Sequence, residues 1–87
     1  MAITKITLSD KDRAMIRRRP DKLAYVGVAD FRGPRGRKYR STHTGAKLTI
    51  ELAEAQLENI KGRNWGHGAY VSHTEIYLVD QLGNVVA

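Results

Sequence analysis

Polar and apolar positions alternate at the start of the chain, where Ile3-Thr-Lys-Ile-Thr-Leu8 is rich in β-branched residues and sets Ile6 and Leu8 on one face. A period of two predicts a strand. Ser9, followed by Asp12 three positions on, has the pattern of a helix N-cap with an acidic partner, and Met15 and Ile16 form a short apolar stripe ahead of Arg17-Arg-Arg-Pro20. Proline disfavours helical geometry in the residue before it, so this helix is expected to stop at Arg19. Its basic last turn sits at the negative end of the helix dipole, where cations are favoured.

Leu23-Ala-Tyr-Val-Gly-Val-Ala-Asp30-Phe31 is the strongest strand pattern, and the small Gly27 within it predicts close packing from another element. Arg32-Gly-Pro-Arg-Gly36 carries turn signals and Arg37-Lys-Tyr-Arg-Ser-Thr42 resumes a strand-like run, so residues 23–42 read as a β-hairpin with a basic tip. Thr49 can cap a second helix, with Ile50, Ala53, Leu57 and Ile60 on its apolar face, Glu51 in its first turn and Gly62 as its stop. After the connector Asn64-Trp-Gly-His-Gly68, residues 69–79 are again β-rich. Gln81-Leu-Gly-Asn84 reads as a turn, from which Val85-Val-Ala87 folds back on the preceding strand.

The expected fold class is α+β, a small single domain over residues 1–87 in the order β-α-β-β-α-β-β. Two helices pack on one face of an antiparallel sheet, in the manner of a split βαβ or ferredoxin-like unit with an added edge strand. No internal repeat or linker divides the chain, and 87 residues with 41% hydrophobic content support one modest core. The absence of cysteine excludes a disulfide scaffold and thiolate zinc sites. No run approaches the roughly 20 apolar residues of a membrane span, and the opening Met1-Ala-Ile-Thr-Lys lacks an apolar secretory core, so the expectation is a soluble cytoplasmic protein with no membrane partner.

Charge changes the picture more than composition does. The net charge of +6 conceals a balance of +9 over residues 1–47 and −3 over residues 48–87. Between Arg13 and Arg40 lie ten Lys/Arg, eight of them arginine, against Asp21 and Asp30 alone. Guanidinium groups grip phosphate bidentately and stack on bases, so this bias suits a polyanion. The residues expected to touch nucleic acid are Arg13, Arg17, Arg18, Arg19 and Lys22 around the first helix, and Arg32, Arg35, Arg37, Lys38, Tyr39 and Arg40 at the hairpin tip. Tyr39 either stacks on a base or faces the core. Phosphate contacts alone carry no sequence choice, and no base-reading position stands out.

Alternatives remain at this level. The basic run can be a solvated face, or it can dock on an acidic protein surface, as in a small regulator or inhibitor of a nucleic-acid machine. A small basic ribonuclease toxin would need His43, His67 or His73 gathered near Arg37 or Arg40, and no spacing forces that. Those histidines fit no helical metal pair, and Gly33-Pro-Arg-Gly36 lacks the phosphate-loop pattern, so neither metal nor cofactor is expected. An open edge at Val85–Ala87 permits homodimerisation strand to strand.

Asp30-Phe-Arg-Gly33 after a strand, with Lys47-Leu-Thr-Ile-Glu-Leu52 leading into a helix, resembles the hairpin and terminal helix of the transcriptional coactivator family that binds single-stranded DNA. The resemblance covers less than half the chain, and the C-terminal hairpin has no counterpart in that family. It implies neither the family's fold nor its residues here. Its layout of basic hairpin plus helix also occurs in integrase-type DNA-binding modules. The leading expectation is a non-enzymatic nucleic-acid-binding protein, DNA or RNA.

Overall fold

A computed structural model describes residues 3–36, 38–63 and 68–87, with backbone alone for residues 34 and 38–40. Helix α1 spans Asp10–Arg17, strand β1 Leu23–Arg32, strand β2 Lys38–His43, helix α2 Ile50–Gly62 and strand β3 Tyr70–Asp80, and a 3-10 turn at Pro34–Gly36 joins β1 to β2. Both helices begin at the hydroxyl caps that the sequence predicts. Ser9 Oγ accepts from Asp12 N at 3.1 Å and Thr49 Oγ1 from Leu52 N at 3.2 Å, each satisfying an amide that has no partner within its helix.

The sheet is antiparallel in the order β2-β1-β3. β1 pairs along its whole length with β3, from Leu23 opposite Asp80 to Arg32 opposite Tyr70, and over its second half with β2, where Val28 faces His43 and Phe31 faces Arg40. Beyond His43 the β2 backbone bulges and then rejoins the ladder. Thr44 N donates to Gly27 O at 2.8 Å, Gly27 N to Thr44 Oγ1 at 3.0 Å, and Lys47 and Tyr25 exchange two backbone bonds of 2.7 and 2.9 Å. The fully buried Thr44 hydroxyl thus stands in for a ladder carbonyl at the bulge.

Alternation along β1 divides the core in two. Ala24, Val26 and Val28 pack with Ile16 of α1, with Ile6 and Leu8 of the N-terminal arm, and with Val79 across the ladder. Ala29 and Phe31 pack with Leu57 and Ile60 of α2 and with Val71 and Ile76 of β3. Gly27 belongs to this second side. A Cβ there would lie 2.7 Å from Leu57 Cγ and Cδ1, so the missing side chain lets α2 approach the sheet as the sequence predicts. Each buried Leu or Ile on α2 contributes on the order of 1.5–3 kcal/mol to this packing.

The domain is α+β with an antiparallel sheet, as expected, but four details differ. The helices lie on opposite faces of the sheet, α1 over Val26 and α2 over Phe31, because β1 is apolar on both faces and neither can be left to water. The ferredoxin-like order is absent, since β3 returns to the free edge of β1 with no parallel pairing. Residues 3–8 and 85–87 are not strands. They make single bridges, Lys5 to Asn84 and Val79 to Val85, before Ile6 and Leu8 turn into the core. Finally, Ile50 is 43% exposed, because the first turn of α2 lies beyond its contact with the sheet and burial starts at Ala53.

Candidate functional site

Three of the cations in and just after α1, namely Arg13, Arg19 and Lys22, are engaged at home. Arg13 pairs with Asp10 one turn back. Lys22, in the left-handed region at φ 57°, returns its ammonium to the Arg17 carbonyl, and Arg19 Nε donates to Leu23 O at 3.0 Å while lying 3.6 Å from Asp21. Arg19 and Lys22 therefore close the turn from α1 into β1 by donating to the Leu23 and Arg17 carbonyls. Arg17 and Arg18 are exposed and have no acidic partner among the described residues.

At the hairpin tip Arg32 Nη1 donates to Gly36 O at 3.3 Å and buttresses the turn, while Arg35 is exposed with φ 70°. Arg37 lies outside the described residues, as do the side chains of Lys38, Tyr39 and Arg40, so the choice of stacking or core for Tyr39 lies outside them too. Register places the Lys38 and Arg40 backbones opposite Arg32 and Phe31.

Among the described residues, these two groups stand at opposite ends of β1. The α1 group joins β1 at Leu23 and the tip leaves it after Arg32, nine residues on, or roughly 30 Å along a strand. α1 also covers the face of the sheet opposite to α2.

A different basic surface emerges between β2 and α2. Glu51, Glu54 and Glu58 follow i, i+3, i+7 along one side of α2, and Glu54 and Glu58 share a groove with Thr74, Glu75 and Ile76 of β3. Gln56, Asn59 and Arg63 follow the same spacing on the other side. There, with Thr42, His43 and Lys47, they line a groove of about 500 Å³ that has no carboxylate in its wall. Leu52, Ala55 and Ile60 supply its apolar part. The helical spacing was present in the sequence, but Lys47 and His43 join the groove only through the β2 bulge, which no sequence period announces.

Polar groups in this groove are only partly satisfied. His43 Nδ1 lies 2.9 Å from the Thr44 carbonyl, which makes Nδ1 the donor and leaves Nε2 as the other ring nitrogen. Gln56 Oε1 is buried and has no hydrogen-bond partner among the described residues. Lys47 and Arg63 form no ion pair with any described carboxylate.

The β3 side is the acidic counterpart. Tyr77 donates its hydroxyl proton to Glu75, and that bond, with burial and the Glu75 charge adding to it, pushes the phenol up to about 12. At the far end of β3, burial alone would raise the Asp80 carboxyl. Bonds from Leu82 N at 2.9 Å, Asn84 N at 3.0 Å and the Asn84 amide at 3.2 Å outweigh it and hold the group below its ordinary value.

His43 and His73 stand on the two outer strands with β1 between them, about 10 Å or more apart at two strand spacings, and His67 lies outside the described residues. The described histidines are therefore not gathered around one phosphate-sized position. The edge expected to be open at Val85–Ala87 is taken on one side by Leu78 and on the other by Thr4, which accepts from Val85 N at 2.9 Å. Among the described residues no helix is long and apolar enough to cross a membrane. Set against protein-family models, curated proteins and solved structures, the chain matches none of them.

Proposed function

We propose that the chain is a small non-enzymatic nucleic-acid-binding protein whose polyanion runs along the β2 side, from the groove between β2 and α2 towards the hairpin tip. The observation that carries this reading is the sorting of charge across α2, with glutamates over β3 and a carboxylate-free wall bearing Lys47, Arg63 and His43 over β2. A phosphate in that groove meets cations without a competing carboxylate. The glutamate stripe lies across a helix about 10 Å wide, a separation beyond the ~8 Å screening length at physiological salt, so it scarcely opposes binding. Arg63 ends α2 on the side where Ile60 meets Phe31, which is the end of β1 from which the tip departs.

The competing reading is a protein–protein module. It is favoured by Leu48, Ile50 and Leu52, which are 46%, 43% and 50% exposed around the start of α2. Salt-titrated binding to mixed single-stranded and duplex DNA and RNA tests the first reading. Affinity that falls steeply and log-linearly with salt supports it, and no binding at ~50 mM salt refutes it. A stoichiometric protein partner captured after nuclease treatment would favour the second.

A further inference from the structure

We propose that the groove between β2 and α2 is a nucleobase subsite that selects single-stranded nucleic acid over duplex, with the Gln56 carboxamide as the group that meets the base. This rests on the nucleic-acid reading above and adds to it a strand preference and a recognition residue. The first ground is shape. A duplex is read by convex elements that enter its grooves, whereas a concavity receives a base that has left the stack. The space of about 500 Å³ is a concavity, and it falls within the ~300–1,000 Å³ typical of sites for small organic groups.

The second ground is the unsatisfied amide. Gln56 lines the groove, and its Oε1 is buried with no hydrogen-bond partner among the described residues, although Thr42 and Asn59 line the same groove. A buried acceptor left unpaired costs free energy comparable to a lost hydrogen bond, so a ligand that supplies a donor removes an existing penalty. A carboxamide holds an acceptor and a donor side by side. Each base of a single strand offers a donor and an acceptor side by side on its pairing edge, which a duplex has already consumed.

The third ground is the arrangement of the remaining wall. Leu52 and Ile60 provide apolar contact for a base face, while Lys47 and Arg63 are placed for the flanking phosphates. Leu52 and Arg63 are eleven residues apart on or at the end of α2, about 16 Å of helix, so the groove is longer than one base.

Two measurements test this. In the first, the unmodified protein is titrated with a fluorescently labelled 12-nucleotide DNA strand, its duplex, and the same strand with abasic sites throughout. The strand is expected to bind about tenfold more tightly than the abasic strand and more tightly than the duplex. In the second, Gln56→Leu, which removes the orphan acceptor and fills the space, is expected to bind the strand about tenfold more weakly, with duplex affinity and salt slope unchanged. An abasic strand that binds as tightly as the base-bearing one overturns the proposal, as does a Gln56→Leu protein with unaltered single-strand affinity. If neither strand nor duplex binds at ~50 mM salt, the nucleic-acid reading itself falls. Equal binding of all three probes removes only the base subsite.

Discussion

The carbonyl oxygen of Ile6 lies 2.0 Å from where a side chain on Gly83 would begin, and the amide of Ile6 donates to the Gly83 carbonyl at 2.8 Å. Gly83 has φ 86°, so the turn needs a residue free of Cβ for two separate reasons, its own conformation and the backbone against it. Gly83→Ala is expected to lower stability by more than about 2 kcal/mol, read as a shifted urea midpoint with unchanged slope. The N-terminal arm should lose amide protection first, since Ile6 hangs on this bond.

Gly27 and Leu57 form the matching contact on the other face. Gly27→Ala forces Leu57 and α2 away from the sheet and should cost ~1–3 kcal/mol. Leu57→Ala should cost ~2–5 kcal/mol through the cavity it leaves. In the double variant the new methyl enters space that Leu57 vacated, so the two losses should sum to less than their parts. Strict additivity in the denaturation cycle would show that the contact is relieved elsewhere.

Tyr77 predicts a loss of stability at alkaline pH. Its folded-state pKa, near 12, exceeds its ordinary value of 10.0, so the folded protein keeps a proton that the unfolded chain releases. The contribution is complete below pH 10 and disappears as pH rises towards 12. Tyr77→Phe should flatten the unfolding free energy over that interval, and a profile as steep as that of the unmodified protein would point to other groups.

Asp80 has the opposite sign. Its carboxyl is held below its ordinary value of 3.8 by the amides of the turn it grips, so it stabilises the fold above that pH and ceases to do so as pH falls through its folded-state pKa. Asp80→Asn should reduce stability at neutral pH by on the order of 1 kcal/mol and weaken the acid-side dependence. Acid titration of the unfolding midpoint in both proteins checks it.

For binding, the fold separates cations that sequence treats alike. Lys47→Ala and Arg63→Ala should each weaken nucleic-acid affinity and lower the salt slope by about 0.7–0.9. Arg13→Ala, which removes a partner of Asp10 on the far face, should leave the slope unchanged. The reverse result would move the interface to α1.

Local order was legible where short-range chemistry decides it. Ser9 and Thr49 caps, the closely packed Gly27 and the hairpin over residues 23–42 are all set within a few residues, and the structure has each of them, while α1 ends at Arg17, two residues before the stop at Arg19 expected from Pro20. The arm at residues 3–8 misled because alternation reports burial as well as pairing. Ile6 and Leu8 alternate into the core while the backbone makes only single bridges.

The sequence alone determined the two helices, the hairpin of β1 and β2 and the excess of cations in the first half, because caps, turn residues and charge are properties of neighbours along the chain. Tertiary structure decided which face of β1 each helix covers, and that choice separated α1 from the hairpin tip. It also paired the carboxylate-free side of α2 with Lys47 and His43 across a bulge. A strand apolar on both faces accepts a helix on either, so only the packing of the whole chain could assign the sides and, with them, the candidate site.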